Sequence, residues 1–180
     1  MKIVVGISGA SGVIYGVSLM QALEADIVLV MSKTAKDILR YETDLAIESV
    51  YQLAYEVFED EEMFAPIASG SNRFDAMVIA PCSEGTIGKI ANGIADTLIT
   101  RAAAVCLKEN RRLIIVPRET PVSAIMLENE LKLARLGVTI VPASPGFYPR
   151  PKTVEQMVDF VVGRVLDLLN QPNDMFHRWE

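Results

Sequence analysis

Continuous apolar runs of strand length alternate along this chain with segments of helical periodicity. Unbroken runs of this kind are typical of parallel strands that are covered on both faces. They predict strands at Lys2–Ile7, Asp26–Met31, Ala76–Ala80, Leu113–Val116 and Val138–Val141. The intervening patterns predict helices at about 13–24, 33–43, 84–108, 122–136 and 153–169, the third of them a candidate for two helices broken near Asn92-Gly93.

The helix ends support these assignments. Ser32 and Thr153 are suited to cap the second and the last helix, and Gly137 is suited to end the fourth in a left-handed conformation. The strand–helix alternation predicts an α/β protein, a three-layer doubly wound parallel sheet of the Rossmann or flavodoxin type with right-handed crossovers. The stretch 45–75 is the least regular, and we expect there a short helix and a loop through 66–71.

Length, hydropathy and charge narrow the class of protein to which the chain can belong. A length of 180 residues predicts one domain, covering 1–180. Hydrophobic residues make up 51% and the mean hydropathy is +0.28, yet no run approaches the ~20 apolar residues of a membrane span. The surplus apolar surface is therefore expected in interfaces of a homo-oligomer. The chain starts directly in a strand, which favours a cytoplasmic protein, and its net charge of −6 argues against nucleic-acid binding.

Cysteine and histidine usage excludes several chemistries. Cys82 and Cys106 lie in apolar stretches without metal-ligand or redox spacing, so we expect two buried thiols. The only histidine is His177, which argues against histidine-rich metal sites and histidine-dependent triads. The acidic run 56–62 is expected to be a solvated surface face.

The first strand leads into the turn Ser8-Gly9-Ala10-Ser11-Gly12, which matches neither the dinucleotide fingerprint nor the P-loop. Taken alone, it is as well explained by a tight turn that needs no ligand. However, ligands of such sheets bind beyond the carboxyl ends of the strands. The segments that follow three of the other strands are also rich in hydroxyls, glycine or proline, namely Ser32-Lys33, 81–86 and 142–150, while the segment 117–121 after the fourth strand carries an Arg-Glu pair. Together these turns predict a phosphorylated ligand.

Cations in apolar surroundings point to the same ligand class. Arg101 and Lys108 are seven residues apart and hence share a helix face, while Arg164 has apolar neighbours on both sides. A buried arginine needs an anionic partner. The alternative for Arg101 and for Arg164 is a surface arginine whose stem covers apolar groups. Arg118, directly after a buried strand, is the strongest functional candidate of the four.

Two carboxylates are candidates for proton transfer. Glu119 follows Arg118 at a strand end, where it could act on a bound ligand, or could instead cap the next helix. Glu42 stands at a predicted helix C-terminus, where the helix dipole disfavours an acid. That position suggests a function, although a solvated helix end explains it almost as well.

Motifs along the whole chain resemble those of the flavin prenyltransferases (the UbiX/Pad family), whose wider flavoprotein fold is shared with FMN-dependent cysteine decarboxylases. The matching segments run in order from the amino-terminal turn to the carboxyl terminus. They are 6–12, 31–33, 42–44, 68–71, 81–83, 100–103, 107–109, 116–121, 145–148 and 178–179.

The resemblance implies a metal-independent transfer of a dimethylallyl group from dimethylallyl phosphate to reduced FMN, giving prenylated FMN for a UbiD-type decarboxylase. It further implies a site shared between subunits of a dodecamer. The implied FMN ligands are Gly9, Ala10, Ser11, Ser32, Ser83, Thr86 and Arg118. The implied prenyl-phosphate ligands are Arg101, Lys108, Tyr148 and Arg164, with Trp179 walling the prenyl pocket. Glu42, Glu119 and Ser11 are the implied catalytic residues, the glutamates assisting proton transfer and Ser11 lying near the prenyl phosphate.

Two departures and two alternatives accompany the resemblance. The stretch 45–66 is shorter than in some relatives, and Arg150 stands where relatives often have histidine. The first alternative is an FMN-dependent decarboxylase of the same fold, but such enzymes use a histidine near FMN and an Asn-bearing motif that 120–124 lacks. The second alternative is a non-catalytic flavin-binding protein, which would not need Lys108, Tyr148 and Arg164 together.

Overall fold

A computed structural model describes residues 1–179, and it contains a six-stranded sheet in which every neighbouring pair is parallel. The spatial order of the strands is β3-β2-β1-β4-β5-β6. Their bounds are β1 Lys2–Ile7, β2 Asp26–Met31, β3 Glu56–Glu59, β4 Ala76–Cys82, β5 Arg112–Pro117 and β6 Thr139–Ile140. The predicted parallel α/β sheet is confirmed.

Helices cover both faces of the sheet. Their bounds are α1 Ile14–Ala22, α2 Lys33–Glu42, α3 Ile47–Tyr51, α4 Glu84–Ala91, α5 Leu98–Lys108, α6 Ala124–Arg135 and α7 Val154–Leu168, with a 3₁₀ turn at Pro66–Ala68. One core lies between the sheet and α1, α2, α3 and α7, and the other lies between the sheet and α4, α5 and α6. Successive side chains of β1 enter opposite cores, Ile3 the first and Val4 the second. The predicted three layers are therefore present.

The winding direction reverses between β1 and β4. From β1 the chain moves outward through β2 to β3, and from β4 it moves the other way through β5 to β6. The two connections therefore part above the carboxyl ends of β1 and β4. Such a switch point opens a crevice in which ligands of doubly wound sheets bind.

The segment 45–75 differs from the expectation, because it contains a sixth strand. The four-residue β3 lies at the sheet edge and has a glutamate at each end, so it lacks the apolar run that marks the other strands. Its carboxyl end delivers Asp60 into the protein, where the residue is only 8% exposed. The expectation that the whole acidic run 56–62 is solvated is therefore wrong at Asp60.

Local signals located most helix ends correctly. Ser32 Oγ accepts a hydrogen bond from Ala35 N–H at 3.1 Å, Thr153 Oγ1 accepts one from Gln156 N–H at 3.3 Å, and Gly137 has φ +86°. The predicted 84–108 helix is two helices, α4 and α5, and α6 begins at Ala124 rather than at 122. Within residues 1–179, no helix combines the length and the apolar character that crossing a membrane requires.

Candidate active site

Ser8 joins the carboxyl ends of β1 and β4 at the switch point. Its buried hydroxyl donates to Pro81 O at 3.1 Å and accepts from Ser83 N–H at 2.8 Å. Its own N–H also donates to Pro81 O, at 3.2 Å. These three bonds fix the start of the 8–12 turn relative to the start of α4. Ser8 is not among the residues predicted to form the site.

The turn after β1 is held from two sides by distant side chains. Gly12 has φ +91°, a conformation that favours glycine, and its N–H donates to Glu42 Oε2 at 2.8 Å. On the other side, Arg118 Nε donates to Ser11 O at 3.0 Å. The structure thus brings together Ser11, Glu42 and Arg118, three residues that the sequence singled out separately.

Three further predicted residues lie at helix N-termini along the same edge. Ser32 caps α2, and Ser83 Oγ caps α4 by accepting from Thr86 N–H at 3.3 Å. The hydroxyls of Ser83 and Thr86 are also 3.0 Å apart. Ser32, Ser83 and Thr86 line one cavity of about 260 Å³, together with Ser8 and Gly9.

The opposite wall of this cavity comes from β3 and α5, and the sequence analysis missed it. Asp60 Oδ1 accepts from Ile99 N–H at 2.8 Å, and Asp60 O accepts from Leu98 N–H at 2.7 Å. Thr97 and Thr100 form a reciprocal capping box at the start of α5. The Thr-x-x-Thr spacing could have been found in the sequence. Asp60 could not, because its strand carried no signal.

The lining of the cavity suits a phosphate group. The N-termini of α2, α4 and α5 meet there, and each brings partly positive backbone N–H groups. Serine and threonine hydroxyls supply further donors. The carboxyl group of Asp60 is the one feature of the lining that disfavours an anion. Burial raises the pKa of this group, and the hydrogen bond from Ile99 N–H makes the rise smaller.

Glu42 and Glu119 occupy different settings. Glu42 is the last residue of α2, and its bond to Gly12 gives it a defined contact that a merely solvated helix end would lack. Glu119 is exposed, and its Oε1 accepts only from the adjacent Thr120 N–H, at 2.9 Å. The N-cap of α6 is Ser123, so the alternative that Glu119 caps the next helix is wrong.

Tyr15 is a neighbour of Arg118 that the sequence analysis did not single out. Burial raises the pKa of its phenol, and the charge of Arg118 partly counteracts this rise. The ring also lies against the turn, because a Cβ added at Gly12 would be 3.0 Å from Tyr15 Cδ2. Tyr15 therefore supports the turn from below and faces the guanidinium that holds it.

Arg101 and Lys108 point toward the 66–72 segment rather than toward the turn of their own chain. Arg101 is half-buried and its Nε donates to Ala68 O at 2.9 Å. Lys108 is exposed and pairs with Glu109 at 3.3 Å. Because Lys108 stands ten residues after Leu98, it lies about 15 Å along the helix from the end that lines the cavity. Within one chain, Lys108 is thus remote from the cavity.

The remaining predicted residues gather beside α7. The ring of Tyr148 makes edge contacts with Trp179 at 5.2 Å and with Phe160 at 5.6 Å between centroids. Arg164 follows Phe160 by one helical turn, is exposed, and pairs with Asp167 at 3.0 Å. In the isolated chain Arg164 is therefore a surface arginine.

Arg178 belongs to the same group, although the sequence analysis gave it no role. It donates to both carboxylate oxygens of Asp167, at 3.1 and 2.8 Å. These bonds from Arg178 are the main reason why the pKa of Asp167 is lowered. Arg178 thereby fixes the carboxyl-terminal segment that carries Trp179.

The two cysteines and the histidine lie outside this chemistry. Cys82 and Cys106 are fully buried, and burial raises the pKa of Cys106 to about 12 and that of Cys82 further still. Both thiols are therefore protonated and unreactive at neutral pH. His177 borders a hollow formed by 149–152 and the carboxyl-terminal segment, not the cavity at the switch point.

Comparison with known proteins agrees with this architecture. Residues 1–166 match the family described as Flavoprotein. A flavin prenyltransferase UbiX of Thermoplasma acidophilum is 57% identical over 180 residues, which cover 99% of this chain and 100% of the relative. The flavin prenyltransferase UbiX of Pseudomonas aeruginosa is 44% identical, with 99% and 93% covered.

Two solved structures superpose closely on the chain. AnUbiX (PadA1) in complex with FMN and dimethylallyl pyrophosphate has a TM-score of 0.97 at 42% identity, covering 99% of this chain and 97% of that one. A dodecameric FMN-dependent UbiX-like decarboxylase from Escherichia coli O157:H7 has a TM-score of 0.97 at 43% identity, with 100% of both chains covered.

A parallel sheet wound in both directions, with a hydroxyl-lined cavity at its switch point, is an architecture that binds phosphorylated ligands. The match over residues 1–166 shows that the chain belongs to the Flavoprotein family. Within that family the near-complete coverage by relatives at 44–57% identity narrows the assignment. The chain is a flavin prenyltransferase of the UbiX type.

Proposed function

We propose that this chain transfers the dimethylallyl group of dimethylallyl phosphate to reduced FMN, and that residues 1–180 form one FMN-binding domain. The observation that carries the proposal is the turn 9–12, which Glu42 and Arg118 hold beside a cavity suited to a phosphate. Reduced FMN supplies the electron-rich ring that accepts the allyl group. The protein must bind both phosphates, exclude water and handle a proton.

The flavin end of the site is assigned to the carboxyl edge of the sheet. Gly9, Ala10 and Ser11 offer backbone donors and a hydroxyl, Ser32, Ser83 and Thr86 surround the cavity, and Arg118 lies over the turn. Ser11 is exposed, so its hydroxyl is free to reach a second ligand above the turn. This set is the one that the sequence predicted, now drawn from four strand ends.

The prenyl-phosphate end requires more than one subunit. Within one chain Lys108 pairs with Glu109 and lies about 15 Å along α5 from the helix end that lines the cavity, whereas Glu42 and Arg118 hold the turn. We therefore place Arg101 and Lys108 of one subunit against the turn of another, where the allylic C–O bond of the dimethylallyl phosphate monoanion breaks and leaves an allyl cation and hydrogen phosphate dianion. Charge-assisted hydrogen bonds from these cations, and from Tyr148 and Arg164, stabilise that leaving group.

The allyl cation that remains needs an apolar, electron-rich wall. Tyr148 and Trp179 supply aromatic faces, and Trp179 is 78% exposed in the single chain. A wall formed when subunits meet would also keep out water, which would otherwise capture the cation as an alcohol. Glu42 and Glu119 are the carboxylates available near the turn to accept the ring proton that alkylation releases.

Assembly, recipient and location complete the proposal. The large exposed apolar side chains of α6, such as Ile125, Leu127 and Leu131, favour a homo-oligomer, and a relative of known structure is dodecameric. We propose a dodecamer that acts in the cytoplasm and supplies prenylated FMN to a UbiD-type decarboxylase.

Product mass tests the reaction itself. The protein is incubated anaerobically with reduced FMN and dimethylallyl phosphate, and the released flavin is analysed by mass spectrometry. A gain of one dimethylallyl group supports the proposal. An unchanged flavin in FMN-loaded protein would refute it and would leave flavin binding, or decarboxylation of an acid substrate, as the function to assay.

Subunit sharing is tested by complementation. Lys108→Ala and Arg118→Ala are purified separately and also co-expressed so that they assemble together. If one site takes Lys108 from one subunit and Arg118 from another, random mixing restores about a quarter of the wild-type rate. Mixed oligomers that remain as inactive as the separate variants would contradict a shared site.

A further inference from the structure

The charges that line the cavity at the switch point are unbalanced for the ligand we assign to it. Among the described residues, 1–179, the lining carries one cation, Lys89, and one carboxyl group, Asp60. A phosphate monoester brings close to two negative charges at neutral pH. The helix N-termini offer only about half a charge each. The fixed groups therefore leave a phosphate beside Asp60 short of positive charge.

Lys89 has the position and the freedom to supply this charge. It follows Thr86 by three residues on α4, so both side chains lie on the same face of the helix and both line the cavity. The charge of Lys89 already acts at the cavity wall, since it lowers the pKa of Asp60 against the effect of burial. A lysine places its ammonium group on a flexible four-carbon stem.

The partner of Lys89 in the present structure is easily exchanged. Lys89 Nζ donates to Asp96 Oδ1 and Oδ2 at 3.0 and 2.9 Å. The two side chains are 40% and 53% exposed, and surface pairs of this kind contribute little. A phosphate in the cavity would offer Lys89 a more highly charged acceptor with less access to water.

We propose that Lys89 is a phosphate ligand of FMN, and that Asp96 holds its ammonium group at the mouth of the cavity until the phosphate arrives. The positive charge of Lys89 then offsets the negative charge of Asp60. Asp60 can therefore accept from Ile99 N–H at the start of α5 although a phosphate lies nearby. The inference rests on the proposed function, because it takes this cavity as the phosphate end of the flavin site.

Binding of FMN and of riboflavin, which lacks the phosphate, separates this role from a structural one. Dissociation constants are measured by flavin fluorescence for the wild type, Lys89→Met, Asp96→Asn and the control Lys132→Met, which removes an exposed lysine on α6. We expect Lys89→Met to weaken FMN binding about tenfold and to leave riboflavin binding unchanged. Asp96→Asn should tighten FMN binding about two- to threefold, because the competing anion is gone. The control should match the wild type.

Three results would overturn the proposal. FMN binding by Lys89→Met that equals the wild type would remove Lys89 from the site. Equal losses for FMN and riboflavin would assign Lys89 a structural role at the end of α4. Equal wild-type affinity for both flavins would show that the phosphate gains no binding free energy from this cavity. None of these results touches the prenyl transfer, which is judged by product mass in the wild-type enzyme.

Discussion

The bond between Glu42 and Gly12 gives the most specific prediction, because it links the end of α2 to the 8–12 turn that we propose as part of the flavin site. Glu42→Ala removes the acceptor 2.8 Å from Gly12 N–H, whereas Glu42→Gln keeps an amide oxygen of similar reach. The two substitutions therefore separate the holding of the turn from the transfer of a proton. Glu48→Ala, which removes an exposed glutamate on α3, serves as the control for net charge.

The expected magnitude follows from the setting of the bond. Its acceptor is charged but exposed, and the freed N–H of Gly12 is exposed to water, so the bond contributes about 1 kcal/mol to the turn. Arg118 still holds the other side through Ser11 O. The population of the competent turn, and with it the apparent affinity for FMN, should then fall up to about fivefold in Glu42→Ala. Glu42→Gln should bind FMN within about twofold of the wild type.

The assays are FMN titration by fluorescence and single-turnover formation of the alkylated flavin. If Glu42 also moves a proton, Glu42→Gln binds normally but alkylates at least about tenfold more slowly, since an amide does not accept a proton. Wild-type affinity in Glu42→Ala would show that the turn is stable without this bond. A wild-type rate in Glu42→Gln would exclude proton transfer by this residue and leave it a purely positioning role.

Three further predictions concern other parts of the same framework. Burial raises the pKa of Asp60 in the folded protein above its value in the unfolded chain. The free energy of unfolding of the wild type should therefore fall as the pH rises between these two pKa values, and that of Asp60→Asn should fall less. Urea-unfolding free energies that change in parallel for the two proteins from pH 4 to 8 would contradict this. Gly16→Ala places a Cβ 2.3 Å from Ala80 O and should lower the free energy of unfolding by about 2–3 kcal/mol. Gly88→Ala in α4 meets only ordinary contacts and should raise the free energy of unfolding by up to about 1 kcal/mol. Equal melting temperatures of the two variants would refute the packing argument. Glu119→Gln should retain the affinity for FMN and slow alkylation by about tenfold or more, because the amide does not accept a proton. Undiminished turnover would exclude Glu119 from the mechanism.

The fold was largely predictable because its four inner strands, β2, β1, β4 and β5, are buried on both faces. Such strands must be continuous apolar runs, and five of the six could be read directly from the sequence. The exception, β3, pairs on one side only and has charged ends, so neither periodicity nor composition marks it. The missed strand also hid Asp60, whose burial is a consequence of where β3 ends.

Most residues of the candidate site could be predicted from the sequence, but which of them lie together could not. Strand order alone brings Ser8 against Ser83, since β1 and β4 are neighbours although more than 70 residues separate the two serines. Glu42 and Arg118 reach the same turn from different elements, and nothing local in either segment indicates that they meet. Lys108 is the opposite case: the family resemblance assigns it to the site, but it lies at the end of α5 that is far from the cavity.

The sequence by itself therefore determined five of the six strands, their parallel arrangement and the chemical character of their carboxyl ends, because burial periodicity and capping are properties of short segments. The tertiary structure decided which ends meet, which carboxylate is buried and which cations one chain can bring to one ligand. These outcomes depend on strand order and helix direction, which arise from the packing of the whole chain. Lys89 belongs to this second kind: in sequence it is one charge on a short helix, and in the fold it lines the cavity that we assign to the phosphate.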